Sequence, residues 1–189
     1  GGVKVTDGGG DTREADAVVV TLPLGVLKKG KVEFSPPLPR WKSDAISRLR
    51  PGAYKKVLLT FDRVFWPTTS PLLGLVRVSH PAKTKLERNR PSPRLGDRLV
   101  LDNLWAEKGV PALEACLVGE AAEECEGRTD EEIRDAVLDL MKLCMKPSVD
   151  FGECTSVHVT RWEEDPFTLG AYSYLGVGVE EGEINNLRK

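Results

Sequence analysis

Thr129-Asp130-Glu131-Glu132-Ile133-Arg134-Asp135-Ala136-Val137-Leu138-Asp139-Leu140-Met141-Lys142-Leu143-Cys144 is the stretch that decides the fold class. Thr129 and Glu132 stand at capping-box spacing, where the hydroxyl meets an orphan amide and the carboxylate reaches back. Ile133, Ala136, Val137, Leu140, Met141 and Cys144 then recur at the period of one helical face, before Pro147. Strand-like runs flank this helix, Leu113 to Val118 before it and Ser156 to Trp162 after it.

Working outward, Lys56 to Phe61, Leu72 to Val78 and Leu99 to Trp105 read as further strands. A short helix is predicted over Arg40 to Leu49, with Trp41, Ala45, Ile46 and Leu49 near one face. It follows the stiff Pro36-Pro37-Leu38-Pro39 linker and is stopped by Pro51-Gly52. Strands and helices mix without strict βαβ alternation, so the expected class is α+β, a mixed or antiparallel sheet with flanking helices.

At the front, Val3 to Thr6 and Ala15 to Leu22 read as a hairpin around glycines 8 to 10. The run Ala17 to Val20 is rich in β-branched residues and is predicted as a strand buried on both faces, ended by Pro23 and Gly25. Pro81 to Arg98 is basic, proline-bearing and aperiodic, which predicts an exposed loop or insertion.

The 27 basic and 29 acidic residues are mixed along the chain, so no basic footprint for nucleic acid exists. The longest apolar stretch, Ala17 to Leu27, is too short for a bilayer span and is interrupted by Pro23 and Gly25. Cys116, Cys125, Cys144 and Cys154 form no CxxC pair, which predicts free buried thiols and a reducing, intracellular compartment. The absence of an opening Met suggests a piece of a longer chain.

No strand–GxGxxG–helix fingerprint occurs; Gly176-Val177-Gly178 comes nearest, with the third glycine displaced to Gly182. P-loop, HExxH and GxSxG motifs are absent. Cys154 and His158 are expected on one side of a strand, but no second pair completes a tetrahedral site, so no metal is predicted. Acidic groups at Glu123 to Glu126, Asp130 to Glu132, Glu163 to Asp165 and Glu180-Glu181 read as solvated faces or, for the second, a favoured helix N-terminus.

Two features carry more. Lys56 shares a strand face with Leu58 and Thr60, while Lys55 points the other way. Either lysine is an edge residue with its amine in water or one of them is functional; composition does not choose. Thr160 to Tyr174 holds Trp162, Phe167, Tyr172 and Tyr174 around a Pro and a Gly. These rings form either a packed turn or a flat wall able to stack on a planar group or cage an amine.

Taken in order, several segments resemble the flavin-containing amine oxidases. They are Ala15 to Lys28, Pro37-Leu38-Pro39-Arg40-Trp41-Lys42, Gly52 to Phe61, Phe65-Trp66, Gly119-Glu120-Ala121-Ala122, and Thr160 to Tyr174. Within that family the chain is similar first to the lysine-specific histone demethylase branch and next to plant-type polyamine oxidases. Three positions depart from the demethylase pattern: Phe167 where Trp is common, Ala171 where Ser is usual, and Lys55 in place of Asn.

The resemblance implies an FAD enzyme that oxidises a C–N bond by hydride transfer to flavin, with hydrogen peroxide as product. It implies Lys56 as the catalytic residue, holding a water near the flavin; a lowered lysine pKa would aid proton transfer. Thr21, Leu22, Pro23, Trp162 and Phe167 would line the flavin, and Tyr172 the substrate. Residues 1–27 would be strands of the FAD-binding domain, 28–162 the substrate-binding region with an insertion at 81–98, and 163–189 a return segment. Implied partners are a methylated lysine of a histone tail or a polyamine, the N- and C-terminal parts of the FAD domain, and a chromatin corepressor in a nuclear setting. Alone, the chain is expected not to hold FAD. A truncated, non-catalytic interaction module is the competing expectation.

Overall fold

Five antiparallel strands make the central sheet of the computed structural model, which describes residues 1–77, 95–96, 98–180 and 182–188. In chain order they are β4 (Tyr54–Phe61), β5 (Leu72–Val76), β6 (Arg98–Asn103), β7 (Ala112–Val118) and β8 (Cys154–Val159), arranged β5-β6-β7-β4-β8. The fold class is α+β, as the mixed pattern of periods predicts. The expected insertion at 81–98 lies almost wholly outside the described residues; Arg98 itself opens β6.

Alternation along the strands divides the sheet into two faces. Lys55, Val57, Leu59 and Phe61 of β4, Leu99 and Leu101 of β6, and Leu113, Ala115 and Leu117 of β7 are all buried. Against this face lies α5 (Asp130–Cys144), which buries Ile133, Ala136, Val137, Leu140 and Met141. Its capping box is formed as expected: Thr129 Oγ1 accepts from the Glu132 amide at 3.2 Å, and Glu132 Oε2 accepts from the Thr129 amide at 3.0 Å. Phe61, Phe65, Trp66 and Phe151 close one end of the core by edge-to-face and tilted contacts.

Several strand limits differ from expectation for identifiable reasons. β6 stops at Asn103 because that buried amide satisfies three elements at once. It accepts from Trp66 Nε1 at 2.8 Å, donates to the carbonyls of Pro67 and Ser70, and caps α3 (Leu104–Lys108). Leu104 and Trp105 are therefore helical. β8 ends at Val159, before Trp162. A register shift opposite Thr60 and Phe61 pairs Cys154 with Phe61 while His158 pairs with Leu58. The bulge thus puts Cys154 on the core face and His158 on the other, not on one side as predicted.

The amino-terminal hairpin pairs β1 (Val3–Thr6) only with β2 (Thr12–Ala15). Residues 17–20, expected as a doubly buried strand, are exposed and lie in no strand; Val19 is 85% exposed. A strand buried on both faces needs neighbouring strands and covering layers, and the described residues supply neither to this run. Pro23 does not simply end it but starts the short helix α1 (Leu24–Lys28). Lys28 Nζ then donates to the carbonyls of Ile46, Ser47 and Leu49 at 3.0, 2.5 and 2.9 Å, satisfying the end of α2 (Arg40–Arg48). Burial and the nearby Arg50 charge lower the Lys28 pKa. Ala45, Ile46 and Leu49 are buried there, whereas Trp41 is mostly outside the packed face. None of the four cysteines is in a disulfide; only Cys125 is fully buried, the others being half-buried. No helix among the described residues is long and apolar enough to cross a membrane.

Candidate functional site

The second face of the sheet, on which no helix packs among the described residues, carries Lys56. This lysine stands opposite Cys116 of β7, whose strand also presents Glu114, and Asp102 of β6 stands opposite Glu114. Lys56 Nζ lies 2.5 Å from Glu114 Oε1, with the lysine side chain 45% exposed. Tyr54, two residues earlier and therefore on the same face, donates its hydroxyl to Cys116 Sγ at 3.2 Å, and Cys116 donates to Asp102 Oδ2 at 3.5 Å.

These contacts shift the protonation equilibria in one direction. The hydrogen bond and charge of Glu114 raise the Lys56 pKa despite some desolvation, so the amine is held as an ammonium. That corrects the expectation of a lowered value, which rested on burial without a carboxylate partner. The bond to Cys116 together with burial pushes Tyr54 up to about 12. Burial and the Asp102 carboxylate raise the Cys116 thiol, against the lowering influence of the Tyr54 bond. Asp102, Glu114 and Cys116 place three potential ligand atoms within 4.8 Å of one another. With an ammonium already on Glu114 and a protonated thiol between tyrosine and aspartate, this group suits an ion pair better than a metal.

The aromatic segment is held beside this face by its polar neighbours. The Thr160 amide donates to the Lys56 carbonyl at 3.0 Å, and Thr160 Oγ1 accepts from the Lys56 amide at 2.9 Å. Arg161 donates to Asp130 Oδ1 at 2.5 Å and to the Arg128 carbonyl at 2.9 Å. Glu163 accepts from the Tyr54 amide and from Lys55 Nζ, both at 3.1 Å. Residues 161 and 163 thus turn into the protein, and Trp162 between them is 42% exposed.

A tight turn follows. The Asp165 carbonyl accepts from the amides of Thr168 and Leu169, and the Trp162 carbonyl accepts from Gly170 and from Thr168 Oγ1. Phe167 is left 80% exposed at its tip. α1 docks on this turn at Gly25, where a Cβ would lie 2.1 Å from the Leu169 carbonyl oxygen, so glycine alone allows the approach. The chain then enters β9 (Tyr172–Tyr174), paired with β3 (Arg50–Gly52). Gly52 opposes Tyr172, whose ring would be 2.7 Å from a Cβ there. As the strand alternation predicts, Tyr172 and Tyr174 share a face, with ring centroids 6.4 Å apart; Tyr54 joins them at 6.1 Å from Tyr172.

Of the residues singled out in the sequence, Lys56 and Tyr172 are therefore linked through Tyr54. Trp162 and Phe167 sit on the turn that α1 touches, and exposed Thr21, Leu22 and Pro23 are placed by the start of α1. Tyr54, Asp102, Glu114, Cys116 and Glu163 were not singled out for the site. Glu114 had a signal: a charge inside the apolar run Leu113 to Val118 asks for a partner.

The model for flavin containing amine oxidoreductases matches residues 1–189. The chain belongs to the flavin-containing amine oxidoreductase family. It is 36% identical over 180 residues to histone demethylase-like protein A of Aspergillus fumigatus, covering 95% of this chain and 16% of that protein. It is 38% identical over 177 residues to polyamine oxidase 4 of Oryza sativa subsp. japonica, covering 94% of this chain and 32% of that protein. Cyclohexylamine oxidase from Brevibacterium oxydans IH-35A superposes with a TM-score of 0.65 at 19% identity, over 100% of this chain and 38% of that one, which shows the shared fold. The chain thus spans a third or less of the length of these two curated relatives.

FAD is the cofactor that goes with this amine oxidoreductase membership. The residues present fit one end of it. Exposed Trp162 and Phe167, with Leu22 and Pro23 at the entry to α1, which docks on the same turn through Gly25, offer flat and apolar surface suited to a planar ring. For the pyrophosphate the described residues offer no glycine-rich strand–helix turn, and α1 has Pro23 at its cap with no side-chain cap bond.

Proposed function

We propose that this chain is the substrate-binding region, with part of the flavin wall, of an FAD-dependent amine oxidase that oxidises a substrate C–N bond. The observation that carries the reading is the juxtaposition of Lys56 and Tyr54, on one face of the central sheet, with Tyr172 of β9, beside the turn bearing Trp162 and Phe167. FAD, when bound, supplies the hydride acceptor and reacts with oxygen to give hydrogen peroxide.

The chain's own residues then have separable tasks. Trp162 and Phe167, with Thr21, Leu22 and Pro23, hold the ring and exclude water from one side. Tyr172, with Tyr54 and Tyr174, offers ring faces to an amine. Lys56, held charged by Glu114, orients a water and keeps a proton at Nζ within the site. Residues 1–27 and 163–189 join the FAD-binding domain, and 28–162 form the substrate region.

For the substrate we favour a methylated lysine of a histone tail, in a nuclear enzyme working with a chromatin corepressor; the similarity to the Aspergillus demethylase-like protein supports this. A polyamine is the second reading, supported by the comparable identity to the rice polyamine oxidase. The test is the longer protein containing this chain, purified and assayed for peroxide with a methyl-lysine histone peptide and with spermine. Flavin absorption and peroxide with the peptide are expected. Peroxide with spermine alone moves the assignment to the polyamine reading. A folded, colourless protein makes this an interaction module instead.

A further inference from the structure

Lys55 is the largest side chain in the described structure with no appreciable exposed surface. An isolated ammonium there would be strongly disfavoured, so its partners govern its effect. Its Nζ lies 2.6 Å from Glu126 Oε1 and 3.1 Å from Glu163 Oε2. Glu163 spends its other oxygen on the Tyr54 amide. Two carboxylates from distant parts of the chain thus converge on one amine: one from the loop before α5, the other from the segment after β8.

That second carboxylate directly follows Trp162. Arg161 is tied to Asp130 on the other side of Trp162. Trp162 is thus bracketed by two inward ion pairs, with its own side chain 42% exposed.

We propose that Lys55 is a positioning residue which, through Glu163, fixes the outward presentation of Trp162 and so the aromatic wall of the site. Its importance for chemistry rests on the reading that Trp162 lines the flavin; the clamp itself does not. Lys55 and Lys56 would then serve one site from opposite faces of one strand, the first by aiming a ring and the second by its own amine.

The test reads Trp162 directly in this chain labelled with 5-fluorotryptophan. Four fluorine resonances are expected from Trp41, Trp66, Trp105 and Trp162, and Trp162→Phe assigns the last. Lys55→Met should shift or broaden the Trp162 resonance by more than its linewidth and leave those of Trp41 and Trp105 in place. Lys55→Arg, which keeps the charge, should restore most of the original position. Should Lys55→Met not fold, Glu163→Gln takes its place: it leaves Lys55 paired with Glu126 and is expected to move the same resonance. An unmoved Trp162 resonance in a folded Lys55→Met or Glu163→Gln chain overturns the clamp. So does a displacement of all four resonances together, which would mark a general loss of packing. None of these readouts needs flavin, so a failure of the flavin reading leaves the clamp testable, and a failed clamp leaves the flavin reading standing.

Discussion

The two faces of the central sheet differ in what they ask of the same strands. On the closed face, alternate residues of β4, β6 and β7 pack against α5, and even the lysine there is sealed between two carboxylates. On the open face the same strands carry a lysine, a tyrosine, a cysteine and two acids in a connected polar array beside exposed tyrosines. The first arrangement makes stability; the second makes a surface whose groups remain available. Lys55 and Lys56, adjacent in sequence, show how a strand's period of two assigns them to opposite tasks.

Stability measurements should separate the faces most sharply. Leu59→Ala on the closed face is expected to cost about 2–5 kcal/mol in a denaturant titration, because a side chain with no exposure leaves a cavity. Equal losses from Leu59→Ala and the open-face Val118→Ala would break the comparison. Next in size, Lys55→Met should cost about 1–3 kcal/mol, since it leaves Glu163 and Glu126 without their shared cation. Lys56→Met should cost no more than about 1 kcal/mol, the ordinary range for an exposed ion pair.

The pH dependence sharpens the same contrast. Burial pulls the Lys55 pKa down, but the bonds and charges of Glu126 and Glu163 more than offset it, so the folded value lies above the ordinary 10.5. A base raised on folding contributes stability that is full below its unfolded pKa and is lost as pH rises through the folded one. Stability should therefore fall above about pH 10.5, with a shallower fall in Lys55→Met, measured by urea midpoints across the alkaline range. Thr129→Ala, which opens the capping box of α5, is expected to cost about 1 kcal/mol. Val118→Ala, with its side chain over half exposed, should stay within about 0.5 kcal/mol.

Much of the closed face was legible because local signals agree there. The capping box, the helical spacing from Ile133 to Cys144 and the apolar runs of β4 and β7 each specify the same packing. The open face was less legible because its partnerships are set by register. Nothing near Lys56 in sequence announces Glu114, yet the pairing of β4 with β7 puts them together and reverses the expected direction of the Lys56 pKa. Residues 17–20 failed for a related reason, since β propensity names a strand but cannot supply its neighbours. Asn103 and the β8 bulge show side-chain caps and an extra residue overriding an apolar run. Tyr172 and Tyr174 were placed on one face correctly because that needed only the strand period.

The most direct test of the account is Lys56→Ala in the flavin-loaded longer protein, with flavin content measured by absorbance and reoxidation by stopped flow. The account predicts full flavin occupancy with turnover or reoxidation slowed on the order of a hundredfold, the scale of a lost proton-handling group. Unchanged turnover and unchanged reoxidation at full occupancy would contradict it and remove the open face from the chemistry.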